Sequence, residues 1–166
     1  PFNPLAVGRA YTEATAWQYR FFVPHDVNGM IQLFGGKEEF VAALDDIFNT
    51  DAEIHGNLVD ITGLIGQYVH GNEPSHHIAY LYNYVGEPWK TQKMSRRLLN
   101  EMYHPTPEGI IGNEDCGQMS AWYILSSMGL YSVCPGSNEY VLTTPLFEKV
   151  VVHLANGRTL TILAND

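Results

Sequence analysis

The chain is organised around the stretch Gly112-Asn113-Glu114-Asp115-Cys116-Gly117-Gln118-Met119-Ser120-Ala121-Trp122-Tyr123-Ile124-Leu125. Apolar residues at helical spacing follow the acidic loop and predict a helix. This spacing places Asp115 near the N-cap, where backbone N–H groups and the helix dipole keep a carboxylate ionised. A single cap needs one side-chain oxygen, whereas Asn113, Glu114 and Asp115 are consecutive. The surplus indicates a functional site as well as a cap.

The composition is typical of a globular domain. The chain has 166 residues, of which 45% are hydrophobic and 12% aromatic, and this is enough for about one domain with a real core. Its net charge of −9 argues against a nucleic-acid partner, because phosphate contacts need clustered Lys and Arg. No apolar run reaches the roughly 18 residues of a membrane span. Since the first residue is Pro1 and not Met, we expect a fragment of a longer protein.

Cys116 and Cys134 are too few for a disulfide framework and lack the spacing of a zinc site. The sequence is compatible with a disulfide between them and with two reduced thiols.

A second segment, residues 11–24, predicts an aromatic helix with Thr12 as a possible N-cap and Pro24 as its end. Glu13 then lies in the first turn, among Tyr11, Trp17 and Tyr19. Desolvation by aromatic rings raises the pKa of a carboxyl group, as a general acid requires. The alternative is a carboxylate that only stabilises the helix dipole.

A third segment contains Gly71-Asn72-Glu73-Pro74 and continues into the adjacent His76 and His77. Because Pro74 is tolerated best at the first position of a helix, the oxygens of Asn72 and Glu73 are expected at its N-terminal end. Hard oxygen ligands of this kind suit calcium, and capping of the helix is the alternative.

The remaining pattern predicts mainly α structure. Helical spacing covers residues 30–34, 37–48 and 88–102, and residues 49–67 read as a long connection. Three strands are expected at residues 140–142, 149–154 and 159–163, with Asn156-Gly157 as a hairpin turn. Helices followed by strands favour part of an (α/α)6 toroid over residues 1–135 and C-terminal β-strands over residues 136–166 that pack on a sheet.

Four motifs together resemble the α-mannosidases of glycoside hydrolase family 92. They are Tyr-Thr-Glu-Ala-Thr-Ala-Trp-Gln-Tyr-Arg-Phe-Phe-Val-Pro-His-Asp from Tyr11, Gly-Asn-Glu-Pro-Ser-His-His from Gly71, Pro-Trp-Lys-Thr-Gln from Pro88, and Gly-Asn-Glu-Asp-Cys-Gly-Gln-Met-Ser-Ala-Trp-Tyr from Gly112. Family members are longer, with an N-terminal β-sandwich domain before the (α/α)6 barrel. The resemblance covers nearly the whole chain and implies the last part of the barrel.

The resemblance implies an exo-acting, inverting, calcium-dependent mannosidase that most often acts on α-1,2 linkages of N-glycans or mannans. It implies Glu13 as the general acid and Asp115 as the base that activates water. The implied calcium ligands are Gln18, Asn72 and Glu73. The residues matched to the sugar subsite are Asn113, Glu114, His76, His77, Trp89 and Trp17. The implied partners are mannose-containing glycans and the missing N-terminal domain, and the implied location is periplasmic, cell-surface or secreted.

Two alternatives remain open at this point. Glu73-x-x-His76 and Glu101-x-x-His104 have the spacing of a di-iron helical bundle, although Pro74 places Glu73 at a helix end. The other alternative is a non-catalytic fragment, because a barrel lacking most of its helices is expected to be inactive.

Overall fold

A computed structural model describes residues 3–7, 10–55 and 61–164 of the chain. The α-helices of the described part are α1 Ala16–Tyr19, α2 Val27–Leu33, α3 Lys37–Asn49, α4 Pro88–Glu101 and α5 Gln118–Ser127. Two 3₁₀ helices span Glu73–Ser75 and Ile78–Val85. The antiparallel strand pairs are β1 Leu64–Ile65 with β2 Tyr68–Val69, β3 Leu130–Tyr131 with β4 Val141–Leu142, and β5 Lys149–His153 with β6 Thr159–Leu163.

The 3₁₀ helix Ile78–Val85 lies in the centre of the core. Its first four residues are fully buried, and α2, α3 and α4 pack around it. A helix that is apolar on all sides is stable only when neighbours cover every face. Pro74 is expected to open a regular helix, whereas the structure has two separate 3₁₀ segments here. The predicted helices at 30–34, 37–48 and 88–102 are present as α2, α3 and α4.

The first helix is much shorter than its aromatic pattern predicts. The side chain of Thr15, and not that of Thr12, caps α1, and Gln18 completes a capping box. The prediction that Glu13 lies in the first turn is therefore wrong. Glu13 precedes the helix and has a φ of 54°, in the left-handed region.

Helix α5 also begins later than predicted. Its N-cap is Gly117, so Asp115 lies near the N-cap, as predicted, but two residues before it and is not the capping residue. Asp115 and Cys116 instead form a left-handed loop, with φ values of 49° and 56°. The carboxylate of Glu114 reaches back to the helix, where it accepts hydrogen bonds from the Ser120 backbone N–H at 3.1 Å and the Ser120 hydroxyl at 2.7 Å.

The C-terminal strands confirm the hairpin prediction. Strands β5 and β6 pair from Lys149 with Leu163 to His153 with Thr159, and Asn156-Gly157 lies in the turn. Residues just after the predicted boundary at 136 pack on the helices, because Asn83 donates to the Leu142 carbonyl and Arg96 to that of Pro145. The two-domain division stays a prediction.

Cys116 and Cys134 are both free thiols. Within the described ranges, no helix has the length and apolar character needed to cross a membrane. Part of the predicted connection at 49–67, residues 56–60, lies outside the described residues, and its last part forms the β1–β2 hairpin.

Candidate active site

The three predicted motifs meet in space. The side-chain amide of Asn72 donates a 2.9 Å hydrogen bond to the backbone carbonyl of Glu13. Asp115 lies close enough to Glu73 to raise the pKa of the Glu73 carboxyl. These two contacts bring together segments separated by 59 and 42 positions (Glu13 to Asn72, and Glu73 to Asp115). We call Glu13, Glu73 and Asp115 the carboxylate cluster.

The surroundings of Glu73 change the pKa of its carboxyl group. Burial raises its pKa, and the nearby Asp115 and Glu13 raise it further, although a backbone hydrogen bond opposes this. Two carboxyl groups in contact cannot both ionise without repulsion. Glu73 is half-buried, whereas Glu13 and Asp115 are exposed, so the cluster opens to solvent on the side of the two proposed catalytic groups.

The backbone of the cluster is strained. The non-glycine residues with positive φ in the described ranges are Glu13, Asp115 and Cys116. A left-handed conformation costs an L-residue about 1–2 kcal/mol. Such strain is concentrated at functional sites, where the surrounding structure holds a side chain in a required direction. Both predicted catalytic carboxylates carry this feature.

Gln18 is held by hydrogen bonds to Thr15 in its own segment and to Gln67 in a distant one. Its Oε1 accepts hydrogen bonds from the Thr15 backbone N–H at 2.7 Å and the Thr15 hydroxyl at 2.8 Å, and its amide nitrogen donates to the Gln67 carbonyl. The residue is fully buried. Both lone-pair directions of the oxygen expected to bind calcium are thus directed to Thr15.

His76 and His77 are buried behind the cluster. His76 uses both ring nitrogens, with Nε2 bonded to the His70 carbonyl at 2.9 Å and Nδ1 to the side-chain amide of Gln118 at 3.1 Å. His77 bonds to the Phe21 carbonyl through Nε2 at 2.8 Å. Burial lowers both pKa values, that of His76 to about 4, and so favours the neutral form of each ring. The structure places them as supports of the site and not at its surface.

The two predicted tryptophans lie in different places. Trp17 lines a groove of about 380 Å³ that also includes Tyr11, Tyr19 and Arg20, and the Arg20 guanidinium lies 4.5 Å from the centre of the indole ring. Trp89 opens α4 and lines a separate groove with Asp45 and Lys90. No member of the carboxylate cluster lines either groove, so neither groove places its tryptophan against the cluster.

Asn113 and Glu114 are exposed in the same loop as Asp115. The two oxygens of Glu114 are directed to Ser120, as described above, which assigns this side chain to holding the start of α5. Asn113 lies at the solvent face of the loop.

The di-iron alternative lacks the required arrangement. In the part of the chain that the structure describes, no three His, Cys, Asp or Glu side chains are grouped so that they alone could hold a metal ion. Glu101 is paired instead with Arg97 at 3.0 Å. A di-iron bundle needs four carboxylates and two histidines directed to one point.

One set of residues at the site was not predicted from sequence. His70 is fully buried between the hydroxyl groups of Tyr68 and Tyr103. The sequence indicated a role for His70 only through its position directly before the Gly71-Asn72-Glu73 motif. No repeating pattern in the sequence predicts its contacts with Tyr68 and Tyr103.

Comparisons with known proteins agree on one family. The model of the glycosyl hydrolase family 92 catalytic domain matches residues 1–166. Among solved structures, a family 92 α-mannosidase from Bacteroides thetaiotaomicron, in complex with mannoimidazole, is 42% identical with a TM-score of 0.91 over 100% of this chain and 23% of its own. A family 92 inverting mannosidase from the same organism is 38% identical with a TM-score of 0.82, over 99% and 24% of the two chains.

A curated relative from Arthroderma benhamiae, described as an uncharacterized secreted glycosidase, is 34% identical over 151 residues. These residues are 90% of this chain and 18% of the relative. The chain therefore spans about a fifth of the length of the proteins it matches.

Proposed function

The chain belongs to glycoside hydrolase family 92, and from this membership and the carboxylate cluster we propose that the protein carrying it is an exo-acting α-mannosidase. The proposed reaction hydrolyses a terminal α-linked mannose with inversion at the anomeric carbon. Two observations support this proposal: the carboxylate cluster and the similarity to two solved mannosidases.

Glu13 is the proposed general acid, which donates its proton to the glycosidic oxygen as the bond to the anomeric carbon breaks. Asp115 is the proposed general base, which accepts a proton from the water that attacks the opposite face of the sugar. An inverting enzyme separates these carboxyls by roughly 6.5–9.5 Å to leave room for the water. The left-handed backbone at both residues and the Asn72 bond to the Glu13 carbonyl support fixed positions for the two groups.

Calcium fits the chemistry of the side chains beside the pair. Glu73 and Asn72 carry the hard oxygens that calcium prefers. A divalent cation at Glu73 would also relieve its repulsion with Asp115. We propose Asn72 and Glu73 as ligands, completed by other oxygens, while Gln18 holds the start of α1. When bound, calcium would polarise and orient the sugar hydroxyls.

The proposed substrate is a mannose-terminated glycan, with α-1,2-linked mannose of N-glycans or mannans as the first candidate. The net charge of −9 suits a neutral sugar substrate better than a polyanion. We propose an extracytoplasmic location, in agreement with the secreted relative.

The convergence of Glu13, Asn72, Glu73 and Asp115 carries the proposal, and mutating its two exposed carboxylates tests it. The assay is mannose release from α-1,2-mannobiose by the intact natural protein that carries this segment. Glu13→Gln and Asp115→Asn should each lower kcat by about 10²–10⁴-fold, the range for loss of a general acid or base. NMR of the first product formed should show β-mannose.

Glu108→Gln is the matched control, because Glu108 is an exposed glutamate on the neighbouring loop. Full activity in Glu13→Gln or Asp115→Asn would refute the role of that residue, and an α-configured first product would refute inversion.

A further inference from the structure

A chain of hydrogen bonds runs through the core directly behind the carboxylate cluster. The Tyr103 hydroxyl donates to the Met119 carbonyl at 3.2 Å, so its oxygen is free to accept from His70 Nε2 at 2.8 Å. Since Nε2 then carries the ring proton, Nδ1 accepts from the Tyr68 hydroxyl at 2.9 Å. This order of donors, from Tyr68 through His70 and Tyr103 to Met119, is the one that makes all three hydrogen bonds with a neutral imidazole ring.

This chain connects the two halves of the site. His70 directly precedes Gly71-Asn72-Glu73, which carries Glu73 and the amide that bonds to Glu13. Met119 lies in the first turn of α5, immediately after the loop that carries Asp115. The ring of His70 also lies edge-on to Trp122 of α5, with centroids 4.4 Å apart.

The residues around His70 hold its ring in one orientation. It is fully buried, and both ring nitrogens have hydrogen-bond partners with defined roles. The mechanism proposed above does not use it, because the ring contacts neither Glu13 nor Asp115 in the hydrogen bonds of the described residues. A buried polar side chain with all its partners in place typically specifies one arrangement of the elements it joins.

We propose that His70 is a positioning residue, which sets the Glu73 segment relative to the Asp115 loop through its Nε2–H bond to Tyr103. This inference rests on the proposed mannosidase function. The Tyr103 side of the chain matters more than the Tyr68 side, because Tyr103 and Met119 lead to α5, whereas Tyr68 belongs to the same hairpin as His70 itself. Other connections between the halves, from Gln118 to the His76 ring and from the Trp122 indole N–H to the His76 carbonyl, preserve the fold when the first is lost.

Two substitutions of His70, to Gln and to Asn, distinguish its hydrogen bond to Tyr103 from its hydrogen bond to Tyr68. Gln can place an amide nitrogen near the position of Nε2 and retain the donor to Tyr103. Asn can place its amide near Nδ1 and retain only the partner of Tyr68. Tyr103→Phe removes the same connection as His70→Asn from the other end, and His153→Gln, on the exposed face of β5, is the control.

The experiment measures kcat and KM for mannose release by the intact natural protein, together with the thermal unfolding midpoint. His70→Asn and Tyr103→Phe should lower kcat by about 10²-fold, the loss expected from a displacement of about 1 Å between reacting groups. KM should change little, and His70→Gln should recover most of the lost kcat. Should His70→Asn not fold, Tyr103→Phe against Tyr68→Phe carries the same test, with the loss expected in Tyr103→Phe.

Equal losses in His70→Gln and His70→Asn, or an unchanged kcat in a folded Tyr103→Phe, would overturn the positioning role. The wild-type protein and Asp115→Asn are assayed in parallel. A wild type that releases no mannose refutes the proposed function, whereas an active wild type with unaffected His70 variants refutes only this inference.

Discussion

The backbones of Gly71 and Gly112 lie so close that a Cβ atom on Gly112 would stand 2.7 Å from the carbonyl oxygen of Gly71. Gly112 also has a φ of +75°, which L-residues rarely adopt. These two glycines open the loops that carry Glu73 and Asp115. Their contact sets how closely the two loops can approach.

Gly112→Ala should therefore separate the loops and lower kcat by at least about tenfold, because misplacement of reacting groups is costly. Gly86→Ala is the matched control, since Gly86 has a similar φ of +84° but nothing within 4 Å of the added Cβ. Both variants carry the left-handed strain of about 1–2 kcal/mol, and only Gly112→Ala adds the clash. Equal effects of both on kcat would contradict the argument.

Substitution of Glu114 tests whether this acidic side chain stabilises the start of α5 or binds the substrate. Because its carboxylate accepts two hydrogen bonds from Ser120 at the start of α5, Glu114→Ala should lower the free energy of unfolding by about 1 kcal/mol. KM should be unchanged. Urea unfolding of Glu114→Ala, Ser120→Ala and the double variant measures the coupling, which should be favourable. A raised KM without loss of stability would instead indicate contact with the substrate.

Acid should destabilise the protein through its buried histidines. Burial lowers the pKa values of His76 and His77 in the folded protein, that of His76 to about 4 from an ordinary value of 6.5, so the unfolded chain binds more protons. The stability that each neutral ring contributes is fully present above pH 6.5. It is lost as pH falls through 6.5 toward the folded pKa, by at most about 1.4 kcal/mol for each histidine and each pH unit.

His77→Gln isolates part of that effect. The Gln amide can still donate to the Phe21 carbonyl but does not titrate, so the unfolding midpoint should fall less steeply between pH 6.5 and 5 than in the wild type. His25→Gln is the control at an exposed histidine. A slope identical to that of the wild type would show that folding does not lower the pKa of His77.

Local patterns predicted those parts of the fold that local forces determine. Helices α3 and α4 follow from their apolar spacing, and the β5–β6 hairpin follows from Asn156-Gly157 between strand-forming residues. The start of α1 did not follow from sequence, because it depends on Gln18, whose amide bonds to the Gln67 carbonyl 49 positions away. Thr12 and Thr15 are both acceptable caps until that contact is known.

In the site, too, local sequence patterns predicted some features, and contacts between distant segments determined the others. The motifs identified Glu13, Glu73 and Asp115, and Asp115 and Glu13 lie close enough to Glu73 to raise its pKa. The bonds that hold them in place, such as Asn72 to the Glu13 carbonyl, join distant segments and leave no periodic trace in the sequence. For the same reason, the resemblance matched His76 and His77 to the sugar subsite, although both rings are buried and bond to the backbone carbonyls of His70 and Phe21.

Removal of divalent metal is the remaining prediction. Chelation by EDTA should abolish mannose release by the intact natural protein, and added calcium should restore it, because the oxygens of Asn72 and Glu73 suit a hard cation. Glu73→Gln should raise the calcium concentration needed for half-maximal activity, since replacing a carboxylate with an amide removes one ligand charge. Gln18→Glu, by contrast, should mainly destabilise the protein, because its new charge would be buried against Thr15.

Activity in excess EDTA would contradict the calcium assignment while leaving the roles of Glu13 and Asp115 to their own test. An unchanged calcium requirement in an active Glu73→Gln variant would remove Glu73 from the ligand set, and its place in the carboxylate cluster would then be explained by its contact with Asp115 alone.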